Sequence, residues 1–208
     1  MSLGVSRRAQ DLHRSTIRVL FDAADKNSEA IRLEVGEPSF TTPKHIIEAA
    51  ANAAVAGYTR YGPNGGLTSL RELLLDKLRT INGIDTSIDQ VVVTPGAMNG
   101  LYSIYAALLN PGDEVLLPTP GFPNMDETVR LLGGQPVFYE LKKSDGYLPD
   151  PDEIASLVTT QTKAMFLNTP SNPTGAVIPP ERIEAILATT SERGVWVISD
   201  EVYDQLIL

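Results

Sequence analysis

The sequence predicts an α/β protein: a three-layer α-β-α sandwich around a mostly parallel sheet. One observation is the order of patterns from Val91 onward, where short apolar runs alternate with stretches of helical periodicity. Parallel strands joined by covering helices produce this order. The other is the region 164–198, where an apolar run, a turn, a helical stretch and a second apolar run follow one another. Such a unit ends its strands at the edge where open α/β sheets bind ligands.

Residues 1–59 do not join this alternation, and they are predicted to form an N-terminal arm with helices that contribute to a small domain. A strip of apolar residues predicts a first helix, and a short alternating run predicts a strand. Pro43 stands at the early helical position where proline is tolerated, with Thr42 as the expected N-cap. The predicted elements of the arm are, in order, helix 12–26, strand 31–35 and helix 44–56, which Gly57 ends.

Residues 60–208 are predicted to form the first part of a large domain. A glycine- and proline-rich loop, 58–66, leads into a helix over 67–81. The predicted strands are 91–93, 114–117, 136–139, 164–167 and 195–198, and the helices between them are 97–110, 125–132, 152–159 and 180–190. The chain ends on three apolar residues, Leu206 to Leu208. A strand of this kind needs a neighbour, so the pattern predicts a truncated domain.

Composition limits the classes of function. The net charge is −9 and there is no basic block, so nucleic acid is not an expected partner. No apolar stretch is long enough for a membrane span and no signal peptide is recognisable, so we expect a cytoplasmic protein. The chain has no cysteine, which excludes disulfides and thiolate metal sites, and no metal site is predicted.

Two strand ends of the predicted sheet lead into turns suited to a flat anion. Gly96 follows the first strand and starts a helix, whose first N–H groups lack internal partners and attract a phosphate. An ordinary βα turn without a ligand has the same sequence pattern. Phe122 lies between a glycine and a proline after the second strand. It either packs on the core or stacks against a heterocycle.

Polar side chains also follow the last two strands. The run Asn168-Thr-Pro-Ser-Asn-Pro-Thr-Gly175 holds Asn172 between prolines that fix the backbone. Asp200 ends the next strand, and Tyr203 comes three residues later. Alone, these patterns also fit an Asx-turn, an N-cap aspartate and a surface tyrosine. A buried carboxylate needs a partner, and against a ring nitrogen it favours the protonated ring.

Together these motifs, in this order, resemble the fold-type I pyridoxal-phosphate aminotransferases, from about Arg32 to Leu208. The resemblance implies pyridoxal 5′-phosphate as cofactor and assigns a role to each matching position. Backbone N–H groups of Gly96, Ala97 and Met98 would hold the phosphate, and Phe122 would stack on the pyridine ring. Asn172 and Tyr203 would bind the phenolic oxygen, Asp200 the ring nitrogen, and Tyr61 the phosphate of a partner subunit. Gly36 and Asn172 would lie beside the substrate.

The resemblance also implies an enzyme that transfers an amino group between an amino acid and a 2-oxo acid, working as a homodimer. The family's Schiff-base lysine has no counterpart, because none of the six lysines follows Asp200. We therefore expect no catalytic residue in this chain and an inactive fragment. Within the same fold, a carbon–sulfur lyase or a cyclopropane-forming synthase stays open, and so does a non-catalytic binding module that kept the pocket.

Overall fold

The structure is a computed structural model that describes residues 4–12, 16–27, 29–33, 36 and 40–206. The chain divides into two compact units, one of residues 16–100 and one of residues 1–15 with 101–208. No helix among the described ranges is both long enough and apolar enough to cross a membrane. The predicted domain boundary at residue 60 rests on sequence pattern alone and stays a prediction.

The described residues form eight α-helices and four β-strands. The helices are α1 Arg7–Gln10, α2 Thr16–Ala24, α3 Lys44–Val55, α4 Thr68–Thr80, α5 Ala97–Leu108, α6 Asn124–Leu131, α7 Pro151–Leu157 and α8 Pro180–Glu192. The strands are β1 Glu114–Thr119, β2 Gln135–Glu140, β3 Thr162–Asn168 and β4 Trp196–Asp200. They pair in the order β2-β1-β3-β4, and each pair is parallel. The α/β class and these four strands are confirmed.

The sheet has packed side chains on both faces. Leu116, Met165 and Leu167 belong to one buried cluster with Ile154 of α7 and Ile186 of α8. Successive side chains of a strand point to opposite faces, so the buried Leu117 and Phe166 point the other way. With them lie Met125 and Phe138, around a small cleft beside α6. Helices therefore cover both faces, as the three-layer prediction requires.

Local sequence explains where the helices on the first face begin. Asp150 caps α7, its side chain accepting the Asp152 N–H at 3.0 Å, and Pro151 takes the first helical position. Proline suits that position because its missing N–H would have no helical acceptor. Pro180 starts α8 in the same way. Both helices run back across the sheet, so the next strand starts parallel to the last.

The unit of residues 16–100 holds a helical part without a strand among its described residues. The guanidinium of Arg71 on α4 donates to the carbonyls of Val91, at 2.8 Å, and of Ile88. Gly66 has a φ of +99°, and a Cβ there would lie 2.6 Å from the Cβ of Val93. Only glycine permits this approach. These contacts hold the loop that follows α4 against the start of the helix.

Several predictions for this unit are wrong. Residues 91–93 form no strand. The Val93 N–H donates to the Gly65 carbonyl at 2.9 Å, and the Val91 carbonyl accepts a hydrogen bond from the Arg71 side chain. Residues 31–33 are exposed and not extended in a sheet, while 34–35 lie outside the described residues. Pro43, not Thr42, occupies the N-cap of α3, without a side-chain bond. The first predicted helix is shorter at its start, because Leu12 is not helical and α2 begins at Thr16.

Candidate functional site

The carboxyl ends of β3 and β4 are joined side by side through their last residues. Asn168 pairs with Asp200 in the sheet register. The side chain of Asn168 is buried, and its Nδ2 donates to the Asp200 carbonyl at 3.0 Å. The Thr169 N–H donates to the same carbonyl at 3.1 Å. The backbone of Asp200 is thus fixed by two donors from the end of β3.

Asn168 also fixes the turn that contains Asn172. Its Oδ1 accepts the backbone N–H of Asn172 at 2.6 Å. The turn closes on itself through Ser171 and Ala176, at 2.9 Å, and its Thr169–Pro170 and Asn172–Pro173 peptides are cis. One buried amide therefore positions both Asp200 and the backbone of Asn172. The sequence motif places Asn168 beside the turn but gives no sign of this bridge.

Asn172 and Tyr203 line the same cleft, whose volume is about 380 Å³. This lies within the usual range of small-molecule sites. The other residues that line this cleft are Pro170, Ser171, Pro173, Gly175, Val177 and Leu206. The structure therefore brings together two residues that lie more than thirty positions apart in sequence and that the resemblance assigns to one oxygen.

Asp200 is half-buried, and its Oδ1 accepts the Val202 N–H at 3.1 Å. The negative charge of Asp200 also acts on Tyr105 of α5. Burial raises the pKa of Tyr105, and the charge of Asp200 raises it further. Burial also raises the pKa of Tyr139, with a smaller contribution from Tyr105. Motif reading found neither tyrosine, because both look like core aromatics.

Phe122 follows β1 and lines a second, smaller cleft of about 120 Å³ with Phe138 and Phe166. The loop that holds it contains the cis peptide bond Thr119–Pro120. A Cβ on Gly121 would lie 2.5 Å from the Pro118 carbonyl oxygen, so this position requires glycine. Phe122 does not line the cleft of Asn172 and Tyr203, and its stacking role stays a prediction.

The remaining predicted residues belong to the other unit. Gly96 has a φ of +83°, and its N–H donates to the Thr94 carbonyl at 2.8 Å. Ala97 and Met98 open α5, where backbone N–H groups have no acceptor within the helix. Tyr61 has a fully exposed side chain, and Gly36 is exposed too. Their roles stay predictions, and residues 37–39, which complete the predicted substrate loop, lie outside the described residues.

Residues 28–208 match the family described as aminotransferase class I and II. An aspartate/prephenate aminotransferase of Thermus thermophilus is 38% identical over 208 residues, a match that covers 98% of this chain and 54% of that protein. Among solved structures, the aspartate aminotransferase from Thermus thermophilus with maleate superposes with a TM-score of 0.93 at 36% identity. That match covers 99% of this chain and 55% of the other.

An alanine aminotransferase from Pyrococcus furiosus superposes with a TM-score of 0.91 at 37% identity, covering 97% of this chain and 53% of the other. The chain therefore spans about half the length of the relatives it matches.

Proposed function

Because this chain belongs to the aminotransferase class I and II family, we propose that it is the N-terminal part of an enzyme that exchanges an amino group between an amino acid and a 2-oxo acid. Members of the family use pyridoxal phosphate. The main supporting observation is the Asn168 bridge, which ties Asp200 to the turn that brings Asn172 into one cleft with Tyr203.

The residues of this unit fit the cofactor by chemistry. The cleft offers an amide from Asn172 and a phenol from Tyr203, two groups that can donate to a phenolic oxygen. Asp200 supplies a carboxylate at the adjoining strand end. The hydroxyl of Tyr105 is buried and has no hydrogen-bond partner among the described residues, which is uncommon and marks a polar site that the protein chain alone does not complete.

Bound pyridoxal phosphate supplies an electron sink for the charge that develops at the α-carbon of an amino acid. The chain's own residues hold and orient it. The Asp200 carboxylate would favour a protonated ring nitrogen, since an opposite charge favours the charged form. Asn172 and Tyr203 would hold the phenolic oxygen, and Phe122 would stack on the ring. The backbone N–H groups of Gly96, Ala97 and Met98 stay the predicted phosphate ligands, although the Gly96 N–H donates to the Thr94 carbonyl.

We further propose that the lysine which binds the cofactor covalently comes from outside this chain. The six lysines lie on the arm, on helices or at strand ends that precede β4: Lys26, Lys44, Lys77, Lys142, Lys143 and Lys163. The 208-residue chain should then bind pyridoxal phosphate reversibly. After borohydride reduction, mass spectrometry should find no adduct specific to one lysine. A single specific adduct together with amino-group turnover contradicts this proposal.

The activity itself is tested on the full-length enzyme to which this chain is proposed to belong. The names of the relatives point to aspartate, prephenate and alanine as compounds to try first. We expect conversion of aspartate or alanine in the presence of 2-oxoglutarate, dependent on added cofactor. Elimination products in place of the new amino acid would favour the lyase alternative.

We propose that the whole enzyme is a homodimer. Helices α3 and α4 have no buried residue, and they expose large apolar side chains, among them Ile47, Val55 and Leu73. Such surfaces favour association, and the exposed Tyr61 is free to reach a partner's cofactor. Light scattering of the longer gene product should give twice the mass of one chain, and a clean monomer would contradict the proposal.

A further inference from the structure

Three asparagines of this chain are followed directly by glycine: Asn64, Asn82 and Asn99. Before glycine, the side-chain amide of asparagine is open to attack by the next backbone nitrogen, because glycine has no side chain to hinder the approach. The attack needs a backbone that can rotate, a side chain that is not held, and a glycine N–H without an acceptor. The three sites differ in these respects, so the fold selects among them.

Asn64 and Gly65 are the central residues of a surface turn. One backbone hydrogen bond closes this turn, from the Gly66 N–H to the Pro63 carbonyl at 3.0 Å. Asn64 is exposed, and within the described part of the chain neither its side chain nor the Gly65 N–H has a hydrogen-bond partner. A surface turn held by a single bond opens at low cost, so the rotation that the attack requires is available at Asn64.

The other two asparagines are held by hydrogen bonds. Asn82 is partly buried, its Oδ1 accepts a bond from Lys77 Nζ at 2.9 Å, and its N–H donates to the Lys77 carbonyl at 3.2 Å. Asn99 lies in the first turn of α5, where the Gly100 N–H donates to the Gly96 carbonyl at 3.4 Å. Attack at Asn82 would require these bonds to break, and attack at Asn99 would require the start of the helix to unwind.

We propose that Asn64 is a site of spontaneous deamidation, selected by the fold over Asn82 and Asn99. The backbone nitrogen of Gly65 forms a bond to Cγ of Asn64 while the Cγ–Nδ2 bond breaks, and the amide group leaves as ammonia with the Gly65 proton. Water then opens the cyclic imide. Opening at the side-chain carbonyl gives aspartate, and opening at the main-chain carbonyl gives isoaspartate, which has an extra carbon in the main chain. This inference does not depend on the proposed function.

Isoaspartate at position 64 lengthens the main chain beside an anchored contact. The Gly65 carbonyl accepts the Val93 N–H at 2.9 Å. The next residue, Gly66, packs so closely that an added Cβ would lie 2.6 Å from the Cβ of Val93. An extra main-chain carbon directly before Gly65 shifts its carbonyl away from this position. The bond to Val93 should therefore be lost in the isoaspartate form, and with it a support of the segment that leads to Gly96.

The first test incubates the 208-residue chain in mildly alkaline buffer, folded or unfolded in guanidinium chloride, and follows each asparagine by peptide mass spectrometry. In the folded chain Asn64 should react about tenfold faster than Asn82 and Asn99, the scale of the hydrogen bonds that those two must break. In the unfolded chain the three rates should converge. Gly65→Ala, whose Cβ would lie no closer than 3.6 Å to another atom, should slow the reaction at Asn64 alone. A folded chain in which Asn82 or Asn99 reacts as fast as Asn64 would overturn the proposal.

The second test measures hydrogen exchange of the Val93 N–H by NMR in the purified isoaspartate form. Exchange should be about fivefold faster than in the fresh chain, the scale of one lost hydrogen bond. Asn64→Asp is the matched control, because it carries the same added charge without the extra main-chain carbon, and it should leave the Val93 rate unchanged. Equal Val93 rates in the isoaspartate form and in Asn64→Asp would refute the loss of the Gly65 contact through a longer main chain.

Discussion

Replacing Asn168 by alanine removes the bridge between the ends of β3 and β4. The variant loses two hydrogen bonds, from Nδ2 to the Asp200 carbonyl and from the Asn172 N–H to Oδ1. At about 1 kcal/mol for each bond, and with the Asn172 N–H left without its acceptor, we expect a loss of about 2–3 kcal/mol of unfolding free energy. For a chain of this length the midpoint of thermal unfolding should fall by roughly 4–12 °C.

Trp196 provides the assay, because it is the only tryptophan and it starts β4. Its fluorescence during urea unfolding follows the strand that Asn168 anchors, and circular dichroism follows the helices. Asn110→Ala is the matched control: it removes an exposed asparagine side chain while its backbone bond to Asp113 remains. If Asn168→Ala unfolds at the same urea concentration as Asn110→Ala, the bridge contributes nothing and the reasoning is wrong.

Three further predictions concern the same unit. Gly121→Ala should cost about 1–3 kcal/mol of unfolding free energy, because its Cβ would lie 2.5 Å from the Pro118 carbonyl oxygen. Gly36→Ala is the control and should leave the unfolding free energy unchanged, because open space surrounds that position. Urea unfolding measures both variants. The unfolding free energy should decline above about pH 10, because burial raises the pKa of Tyr139 and Tyr105. The folded chain keeps the protons of these two tyrosines at a pH where the unfolded chain releases them. Their contribution to the unfolding free energy is therefore complete below about pH 10 and is lost as the pH rises through the folded-state pKa. Tyr139→Phe should make the decline shallower, and an unchanged slope would refute its cause. Asp200→Asn should weaken pyridoxal phosphate about tenfold or more, measured by quenching of Trp196, while Glu192→Gln at the end of α8 should not; equal affinities would remove Asp200 from the site.

The buried strands were the most predictable part of the fold. β3 contains the continuous apolar run 164–167, and all its residues except Lys163 are buried, so composition marks it as a central strand. The run 91–93 has the same composition and forms no strand, because a strand also needs a neighbour to pair with. Pairing is a tertiary property, and three valines in a row do not encode it.

The candidate site divides in the same way. Motif order singled out Asn172, Asp200 and Tyr203 as candidates, since each comes within a few residues of the end of a predicted strand. The bridge made by Asn168 and the buried hydroxyl of Tyr105 were missed because both depend on the fold. Asn168 meets Asp200 through strand register across 32 positions, and Tyr105 comes from a helix whose pattern shows only an apolar strip. Buried polar atoms, and not sequence spacing, reveal such residues.

We propose that Asp200 lies beneath the ring nitrogen of a bound pyridoxal phosphate. A crystal structure of the chain with this cofactor tests this placement most directly. We expect an Asp200 oxygen within about 2.7–2.9 Å of the ring nitrogen, with Asn172 and Tyr203 at the phenolic oxygen. A well-ordered cofactor whose ring nitrogen faces any other group would contradict it.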